Sequence, residues 1–370
     1  MRAHAAVLYG TNQPLKIESL DLAPPRSGEV LIKMGAAGVC HSDHHVMSGQ
    51  AKHEFPVVLG HEGAGEVIET GAGVSGFKTG DHVVLRWIPN CGSCFFCDSG
   101  KSHLCRTYEK PLWDGTLLDG TCRLSNSKGP VRHLSMLACW SNFAVVPEES
   151  CVLIDKAVPF EVAALLGCAV TTGVGAVLNK AKVKAGSSVA VIGAGGVGLS
   201  IIMGAKLAGA ATIIAIDASP AAEAPARGLG ATDFIHTSEA VGSRIDELSQ
   251  YGVDYVFEAV GRRALQRQAI DYCRPGGTVV FVGLDSSDAS IDLPTTGITR
   301  AEKWITGSIY GSVNASRDFA LYAGHYRTGE LPIDQLIGRR YRLDQINLAI
   351  DDMLAGKPGR GVILFGDEAA

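Results

Sequence analysis

A chain of 370 residues is expected to form two to three domains, at roughly 150 residues per domain. Its 33 Lys and Arg residues against 38 Asp and Glu residues leave a net charge of −5, which argues against a nucleic-acid-binding protein and a polybasic membrane-surface protein. With 46% hydrophobic and 19% charged residues the composition is not that of a disordered protein, so we expect a folded chain with a sizeable core.

The first third of the chain has β character. Val30–Met34, Ala64–Glu69 and His82–Trp87 are short apolar or alternating runs bounded by Gly, Pro and Asp, which predicts strands. Residues 88–142 form a long region rich in Cys, Gly and Ser without a sustained period. Because irregular regions of this length are usually functional or held by something other than a core, we expect a special stabilising feature here.

From about residue 160 the pattern changes to alternating helices and strands. Phe160–Gly175 predicts a helix, Ser188–Ile192 a buried strand, Val197–Ala208 a helix, and Thr212–Ile216 a second buried strand that ends at Asp217. Further strands are predicted at Tyr255–Glu258, Thr278–Val282 and Val362–Phe365, and a further helix at Ile346–Leu354. The alternation predicts an α/β domain with a parallel sheet.

The strand Ser188–Ile192 leads directly into Gly193-Ala194-Gly195-Gly196-Val197-Gly198, which fits the pattern G-x-G-x-x-G. Gly193 permits a tight turn, Gly195 lets the backbone approach a pyrophosphate, and Gly198 lets the helix pack closely on the strand. The helix that follows presents free N–H groups to phosphates. The uncharged stretch Ser187–Ala205 is also long enough for a membrane span, but the glycine cluster favours a strand, a turn and a buried helix.

Asp217 ends the next strand, 24 residues after Gly193. A carboxylate at this place can accept hydrogen bonds from the adenosine ribose of a dinucleotide and would repel a 2′-phosphate. The neighbours Ala218 and Ser219 supply no cation for such a phosphate. NAD is therefore favoured over NADP, with an Asp that only caps a turn before Pro220 as the alternative.

The chain has ten cysteines and no recognisable secretory signal, so we expect metal ligands or plain thiols in a cytoplasmic protein rather than a disulfide framework. Four of them fall within fifteen residues, at Cys91, Cys94, Cys97 and Cys105. Four thiolates at this spacing can close a tetrahedral shell around a structural Zn²⁺. A nucleic-acid-binding zinc module is the rival interpretation, and the acidic net charge argues against it.

A second set of ligand-type residues comprises the run Cys40-His41-Ser42-Asp43-His44-His45, the pattern Gly60-His61-Glu62-Gly63, and Gly167-Cys168. With the four-cysteine loop and the glycine turn in the same order, the chain resembles the zinc-dependent alcohol dehydrogenases of the medium-chain dehydrogenase/reductase family, in the longer, typically homodimeric form. The resemblance implies an α/β protein in three segments. A mostly-β, GroES-like catalytic domain spans 1–169 with a structural zinc loop at 88–106, a doubly wound Rossmann NAD domain spans 170–307, and 308–370 return to the catalytic domain.

The resemblance also implies roles for individual residues. Cys40, His61 and Cys168 match the catalytic zinc ligands, with Glu62 beside the metal and Asp43 orienting His61. Ser42 and His45 match a relay that carries the alcohol proton to the surface. Besides the glycine turn and Asp217, the positions that match coenzyme-binding residues are His41, Thr172, Val282 and Arg360. The reaction implied is hydride transfer between an alcohol and NAD, for which zinc lowers the pKa of the hydroxyl group.

Two positions depart from the pattern of the family. His41 stands where many members carry Arg, and Ala222 stands where many carry Lys. Both changes remove a positive charge near the coenzyme, so we expect weaker binding of NADH and, if coenzyme release limits turnover, a higher kcat. The four remaining cysteines fit no ligand spacing and are expected to be ordinary thiols: Cys122, Cys139, Cys151 and Cys273.

The substrate is left open between two classes by the sequence. Trp87 matches a substrate-channel position of the family, and we expect Leu134 to line the same channel, which favours an apolar or aromatic alcohol. A formaldehyde dehydrogenase that acts on a thiol adduct is the alternative, and it needs cations near the mouth of the site, for which Arg106, Lys110 and Arg123 are candidates. A zinc-free quinone or enoyl reductase, or a non-catalytic relative, is an alternative of another class that would lack the zinc ligands.

Overall fold

The computed structural model describes residues 1–366, and its N-terminal part contains a closed five-stranded barrel. The order around the barrel is β1-β2-β7-β8-β4, with only β4 and β8 parallel. Its strands are β1 Arg2–Leu8, β2 Lys16–Leu22, β4 Val57–Val58, β7 Leu124–Asn126 and β8 Gly129–His133. A barrel leaves no unpaired sheet edge, so even the two-residue strand β4 has partners on both sides.

A second sheet, of seven strands, has strand ends next to three of the residues of the predicted metal centre, Cys40, His61 and Glu62. Its order is β10-β6-β5-β3-β18-β17, and β9 also pairs with β3. The strands are β3 Glu29–Gly38, β5 Gly63–Thr70, β6 His82–Leu85, β9 Phe143–Pro147, β10 Cys151–Leu153, β17 Ile337–Tyr341 and β18 Arg360–Leu364. Because β17 and β18 come from the last thirty-five described residues, the C-terminal segment completes a sheet that the N-terminal segment begins.

The third sheet is parallel throughout, with the order β13-β12-β11-β14-β15-β16. Its strands are β11 Ser188–Ile192, β12 Thr212–Asp217, β13 Asp233–His236, β14 Val253–Glu258, β15 Cys273–Phe281 and β16 Trp304–Gly307. The strand order reverses direction between β11 and β14, and ligands of such sheets bind in the crevice at the carboxyl ends of the strands at this point. The α/β class and the two kinds of β architecture match the predicted fold.

Residues 1–366 contain twelve α-helices besides these sheets. They are α1 His41–Ser48, α2 Phe95–Asp98, α3 Glu109–Asp114, α4 Phe160–Leu166, α5 Ala169–Gly175, α6 Gly196–Leu207, α7 Glu223–Leu229, α8 Val241–Leu248, α9 Arg263–Tyr272, α10 Thr295–Ala301, α11 Ala315–Arg327 and α12 Ile346–Leu354. A π-helical segment, Ala176–Ala181, continues α5. Among residues 1–366 no single helix is long and apolar enough to cross a membrane. The bent pair formed by α4 and the continued α5 reaches that length and apolar composition, and this is the only evidence for a span.

The single helix predicted over Phe160–Gly175 is wrong, because the structure divides it into α4 and α5 with a bend of 49°. The break lies at Cys168, whose backbone is not helical (φ −149°, ψ −71°). Gly167 makes the bend compatible with close packing, since a Cβ there would lie 2.8 Å from the carbonyl oxygen of Leu85. Apolar residues continue through both helices, so the hydrophobic pattern alone could not show the break.

Residues 88–142 contain more regular structure than their composition indicates. They include α2, α3, β7 and β8, and the two strands close the barrel. These elements are only three to six residues long, too short to establish a hydrophobic period. A buried ion pair also ties this region to β3, because the Arg123 guanidinium bonds both carboxylate oxygens of Glu29 and also bonds Asp119.

Candidate active site

Strand pairing in the second sheet brings distant parts of the sequence to one point. The Gly38 N–H donates to the Glu62 carbonyl at 2.9 Å, which places the end of β3 beside the start of β5. The Val39 N–H donates to the Gly361 carbonyl at 3.0 Å, so β18 arrives on the other side of β3. Cys40 and the His61–Glu62 pair therefore meet directly beyond the sheet.

Cys168 joins this group from the bend between α4 and α5. The ligand atoms of Cys40, His61, Glu62 and Cys168 all lie within 4.8 Å of one another, and all four side chains are buried. A divalent cation of the zinc type is bound by thiolates and imidazoles at about 2.0–2.3 Å, which is compatible with a group of this size. The residues predicted to form one metal centre are thus brought together.

Asp43 orients the imidazole of His61. One carboxylate oxygen of this buried residue accepts the Gly60 N–H at 2.9 Å and contacts His61 Nδ1 at 3.1 Å. Burial lowers the pKa of His61, but the charge and hydrogen bond of Asp43, together with those of Cys40, outweigh burial and raise that pKa overall. The carboxylate thereby favours a proton on Nδ1 and leaves Nε2 free for a metal, the arrangement found around many metal-bound histidines.

The pKa values of the two thiols of the centre are shifted in opposite directions. A hydrogen bond from the Cys168 thiol lowers the pKa of Cys40 well below its usual value, whereas the same bond raises the pKa of Cys168. The hydrogen bond thus favours the thiolate form of Cys40 and keeps the proton on the Cys168 thiol. A zinc ion requires both sulfurs as thiolates, so its binding would release this proton.

Glu62 and Arg360 form a buried ion pair beside the metal ligands. The Arg360 guanidinium contacts both carboxylate oxygens of Glu62. Burial raises the pKa of Glu62 although the charge of Arg360 opposes the shift. Arg360 also lies against the start of α6, because a Cβ on Gly196 would be only 3.1 Å from the Cδ of Arg360. The predicted pyrophosphate ligand is thus paired with a carboxylate and at the same time borders the glycine turn.

The four-cysteine loop folds into a compact thiol cluster around α2. The Sγ atoms are 3.6 Å apart for Cys94 and Cys97, 3.8 Å for Cys94 and Cys105, 3.6 Å for Cys91 and Cys105, and 4.0 Å for Cys91 and Cys97. A tetrahedron of sulfurs at about 2.3 Å from zinc has edges of about 3.8 Å. The donor set fits a zinc ion, and the spacing is far too long for disulfide bonds.

The glycine turn has the geometry expected of a dinucleotide site. Gly193 is left-handed (φ +92°), and a Cβ on Gly198 would lie only 1.7 Å from the Gly193 carbonyl oxygen. Asp217 holds this turn, because one of its carboxylate oxygens accepts the Ala194 N–H at 2.7 Å and the other accepts the Ser219 N–H at 2.8 Å. The carboxylate is therefore fixed at the carboxyl end of β12, beside the crevice.

The remaining predicted coenzyme and relay residues lie on α5, just beyond β15, and on α1. Thr172 follows the metal ligand on α5, where its N–H donates to the Cys168 carbonyl at 2.8 Å. Val282 lies just beyond β15, and its N–H donates to the Glu258 carbonyl at 2.8 Å. On α1, His41 is exposed, whereas Ser42 and His45 are half-buried.

The structure adds a carboxylate that the sequence did not single out. Glu258 ends β14, the strand next to β11 at the reversal of strand order. Its Oε1 accepts the N–H groups of Val260 and Gly261 at 2.9 and 2.8 Å, while its Oε2 has no partner within residues 1–366. Burial raises the pKa of this carboxyl. Its only sequence signal is its place as the last residue of a predicted strand.

Two protein-family models and a curated relative are similar to this chain. Residues 26–156 match the alcohol dehydrogenase GroES-like domain family, and residues 196–323 match the zinc-binding dehydrogenase family. An S-(hydroxymethyl)glutathione dehydrogenase of Escherichia coli is 38% identical, over 99% of this chain and 100% of the relative.

Two solved structures have the same fold over almost the whole chain. A zinc-binding-domain alcohol dehydrogenase from Burkholderia ambifaria superposes with a TM-score of 0.95 at 34% identity, over 99% of both chains. The benzyl alcohol dehydrogenase of Acinetobacter calcoaceticus superposes with a TM-score of 0.94 at 30% identity, over 99% of this chain and 100% of that one. The chain therefore belongs to the zinc-dependent alcohol dehydrogenases of the medium-chain dehydrogenase/reductase family, and it is an oxidoreductase whose cofactors are zinc and NAD(H).

Proposed function

We propose that Cys40, His61 and Cys168 hold the catalytic zinc and that the four-cysteine cluster holds a structural zinc. The buried ligand group, with Asp43 bonded to His61, is the observation that carries the proposal. Zinc at this place supplies Lewis acidity that lowers the pKa of the alcohol hydroxyl. Two thiolates and one neutral imidazole would balance the charge of the ion, and Glu62 would stay neutralised by Arg360.

Metal analysis separates this proposal from a zinc-free reductase. About two zinc ions per chain are expected from the two ligand groups. A quinone or enoyl reductase of the zinc-free type lacks such ligands, so one zinc or none in the purified protein would contradict the proposal.

Replacing Cys97 by serine is expected to remove the structural zinc and to lower Tm by roughly 5–10 °C, because the short elements of residues 88–142 would lose the metal that ties them together. The measurement is zinc content together with thermal unfolding. Cys122→Ser is the matched control, since Cys122 is a free thiol of the same region outside the cluster. Unchanged zinc content in the Cys97 variant would reject the structural site.

We assign the proton relay to Ser42 and His45 on α1. Both are half-buried on the helix that directly follows Cys40, which supports the assignment because a relay needs groups that are neither sealed in the core nor fully in solvent. His45→Gln is expected to lower kcat at pH 7 about tenfold or more, since positioned proton transfer contributes at least this much. The loss is expected to shrink with added imidazole buffer. His44→Gln on the same helix is the control, and an equal loss in both variants would count against the relay.

We propose NAD as the preferred coenzyme, on the basis of Asp217 in the position described above. We expect it to be bound weakly, because residue 41 is His rather than Arg. His41→Arg is expected to lower the NADH dissociation constant about tenfold, since an Arg–phosphate contact is a charge-assisted hydrogen bond. The value of kcat should fall as well if NADH release limits turnover.

The measurement for this variant is the NADH dissociation constant and release rate by stopped-flow fluorescence. His44→Arg is the matched control, because it adds the same charge on the same helix three residues away. An unchanged dissociation constant for NADH in the His41 variant would contradict the role given to this position.

We propose an apolar or aromatic primary or secondary alcohol as the substrate, oxidised reversibly to its aldehyde or ketone. The indole of Trp87 lies edge-on to the His61 ring with centroids 6.2 Å apart, and Leu134 is buried. An aromatic wall this close to the ligands favours an apolar carbinol. The Acinetobacter benzyl alcohol dehydrogenase is a relative with a substrate of this class.

The glutathione-dependent relative supports a thiol adduct of formaldehyde as the second candidate. However, each cation considered for an acidic thiol is already near or bonded to a carboxylate. Arg123 is buried against Glu29, and exposed Lys110 pairs with Asp114. Exposed Arg106 lies 3.8 Å from Glu109. Reaction rates with a panel of alcohols and with formaldehyde, each with and without glutathione, decide between the two candidate substrates; the rates are measured by the absorbance of NADH. A rate with formaldehyde that requires glutathione would establish the second candidate.

We further propose a cytoplasmic homodimer with the domain bounds given by the resemblance, 1–169, 170–307 and 308–370. The six parallel strands all come from residues 188–307, which supports the division. Within the described part of the chain the edge strand β16 pairs only with β15, and Trp304 on it is 72% exposed. Such an edge is a template for a second copy. Light scattering measures the oligomeric state.

The ten free cysteines support the cytoplasmic location, because free thiols fit a reducing compartment.

A further inference from the structure

Tyr310 lies at an unusual turn close to the active site. It follows β16, is 1% exposed, and begins three consecutive left-handed residues, with φ of +51° at Tyr310, +63° at Gly311 and +51° at Ser312. Left-handed backbone is unfavourable for residues with a Cβ, so it persists only where the surrounding structure holds it. Contacts with neighbouring residues must therefore hold this turn in place.

The turn packs directly on the bend that carries Cys168. The Tyr310 hydroxyl donates to the Gly167 carbonyl at 2.5 Å. Behind it, a Cβ on Gly311 would lie 2.1 Å from the Thr171 carbonyl oxygen, so the backbone of the turn touches the backbone of α5. The carbonyl that Tyr310 binds belongs to the peptide bond between Gly167 and Cys168, and a shift of this carbonyl would move the cysteine.

The ring of Tyr310 also packs against the substrate-facing indole. The ring centroids of Tyr310 and Trp87 are 5.1 Å apart, at an interplanar angle of 47°. Trp87 in turn contacts the His61 ring edge-on. One side chain thus contacts both the bend of one proposed zinc ligand and the aromatic residue beside another.

We propose that Tyr310 is a positioning residue of the active site, whose hydroxyl holds the Gly167–Cys168 bend and whose ring holds Trp87. The inference rests on the proposed role of Cys168 as a zinc ligand. Loss of the hydroxyl would remove a hydrogen bond from a buried carbonyl at the break between two helices. The sulfur of Cys168 would then be held less firmly, while the fold of both sheets would be kept.

The test is Tyr310→Phe in the full-length enzyme, with cobalt placed in the catalytic site and zinc kept in the structural site. The thiolate-to-cobalt charge-transfer absorption reports the geometry of Cys168. We expect this absorption to shift and release of cobalt to a chelator to become about five- to tenfold faster. The value of kcat for benzyl alcohol should fall while KM for NAD stays the same. Tyr322→Phe, at another buried tyrosine on α11, is the matched control.

A second variant, Tyr310→Leu, addresses the ring. It is expected to show the same metal release as Tyr310→Phe and, in addition, to raise KM for benzyl alcohol more than KM for 1-propanol. The proposal would be overturned if both variants kept the wild-type absorption spectrum and released cobalt at a rate within twofold of wild type. It would also be overturned if zinc left the structural site with the same acceleration as cobalt left the catalytic site. An unchanged cobalt absorption in Cys168→Ser would instead reject the ligand assignment itself, and the proposal with it.

Discussion

Cys168→Ser is expected to retain about one zinc per chain and to lose at least about a thousandfold in kcat/KM. The reason is that Lewis-acid stabilisation by zinc is worth several kcal/mol, and a neutral serine hydroxyl is a much poorer ligand than a thiolate. Because the structural cluster lies apart from Cys168 and shares none of its ligands, thermal stability should change much less than in Cys97→Ser. Zinc content and steady-state rates are the measurements.

The matched control for this variant is Cys139→Ser. Cys139 is buried close to the same centre, with its N–H bonded to the Gly60 carbonyl at 2.9 Å, but it does not belong to the ligand group. It should keep about two zinc ions and most of the activity. Retention of two zinc ions and wild-type activity by the Cys168 variant would rule out this residue as a catalytic ligand.

Asp217→Asn is expected to lower kcat/KM for NAD about 10- to 100-fold and to raise the ratio of NADP to NAD activity at least about tenfold. A hydrogen bond to a charged group is worth about 1.5–3 kcal/mol, which sets the loss with NAD. Removal of the negative charge also relieves repulsion of the 2′-phosphate. Asparagine keeps one acceptor for the Ala194 N–H, so the glycine turn should survive. Initial rates with both coenzymes give the answer.

Asp233→Asn serves as the control for coenzyme preference. Asp233 begins the neighbouring strand β13 at the opposite end of the sheet, where it accepts a bond from the Thr232 hydroxyl. The Asp233→Asn variant should have the same coenzyme preference as the wild type. If Asp217→Asn keeps full activity with NAD, the carboxylate has only the structural role of holding the turn.

Several parts of the fold and of the candidate site follow from local sequence because their members are close along the chain. The strand Ser188–Ile192 and the helix Ile346–Leu354 have the predicted bounds. The helix predicted over Phe160–Gly175 does not survive as one element. Its break is stabilised by contacts with β6 and Tyr310, which no local period reveals. The family resemblance makes Arg360 a pyrophosphate ligand, but it does not predict the ion pair of Arg360 with Glu62.

By itself, the sequence determined which chemical groups this protein has and how the local ones are spaced. The four-cysteine cluster and the glycine turn are of this kind, since a short chain segment sets their geometry. Only the tertiary structure decided how residues far apart in the chain meet. Glu62 and Arg360 are 298 residues apart, and Gly167 and Tyr310 are 143 apart. Such contacts depend on strand pairing and packing between whole segments, because periodicity records which face of an element is buried but not what covers it.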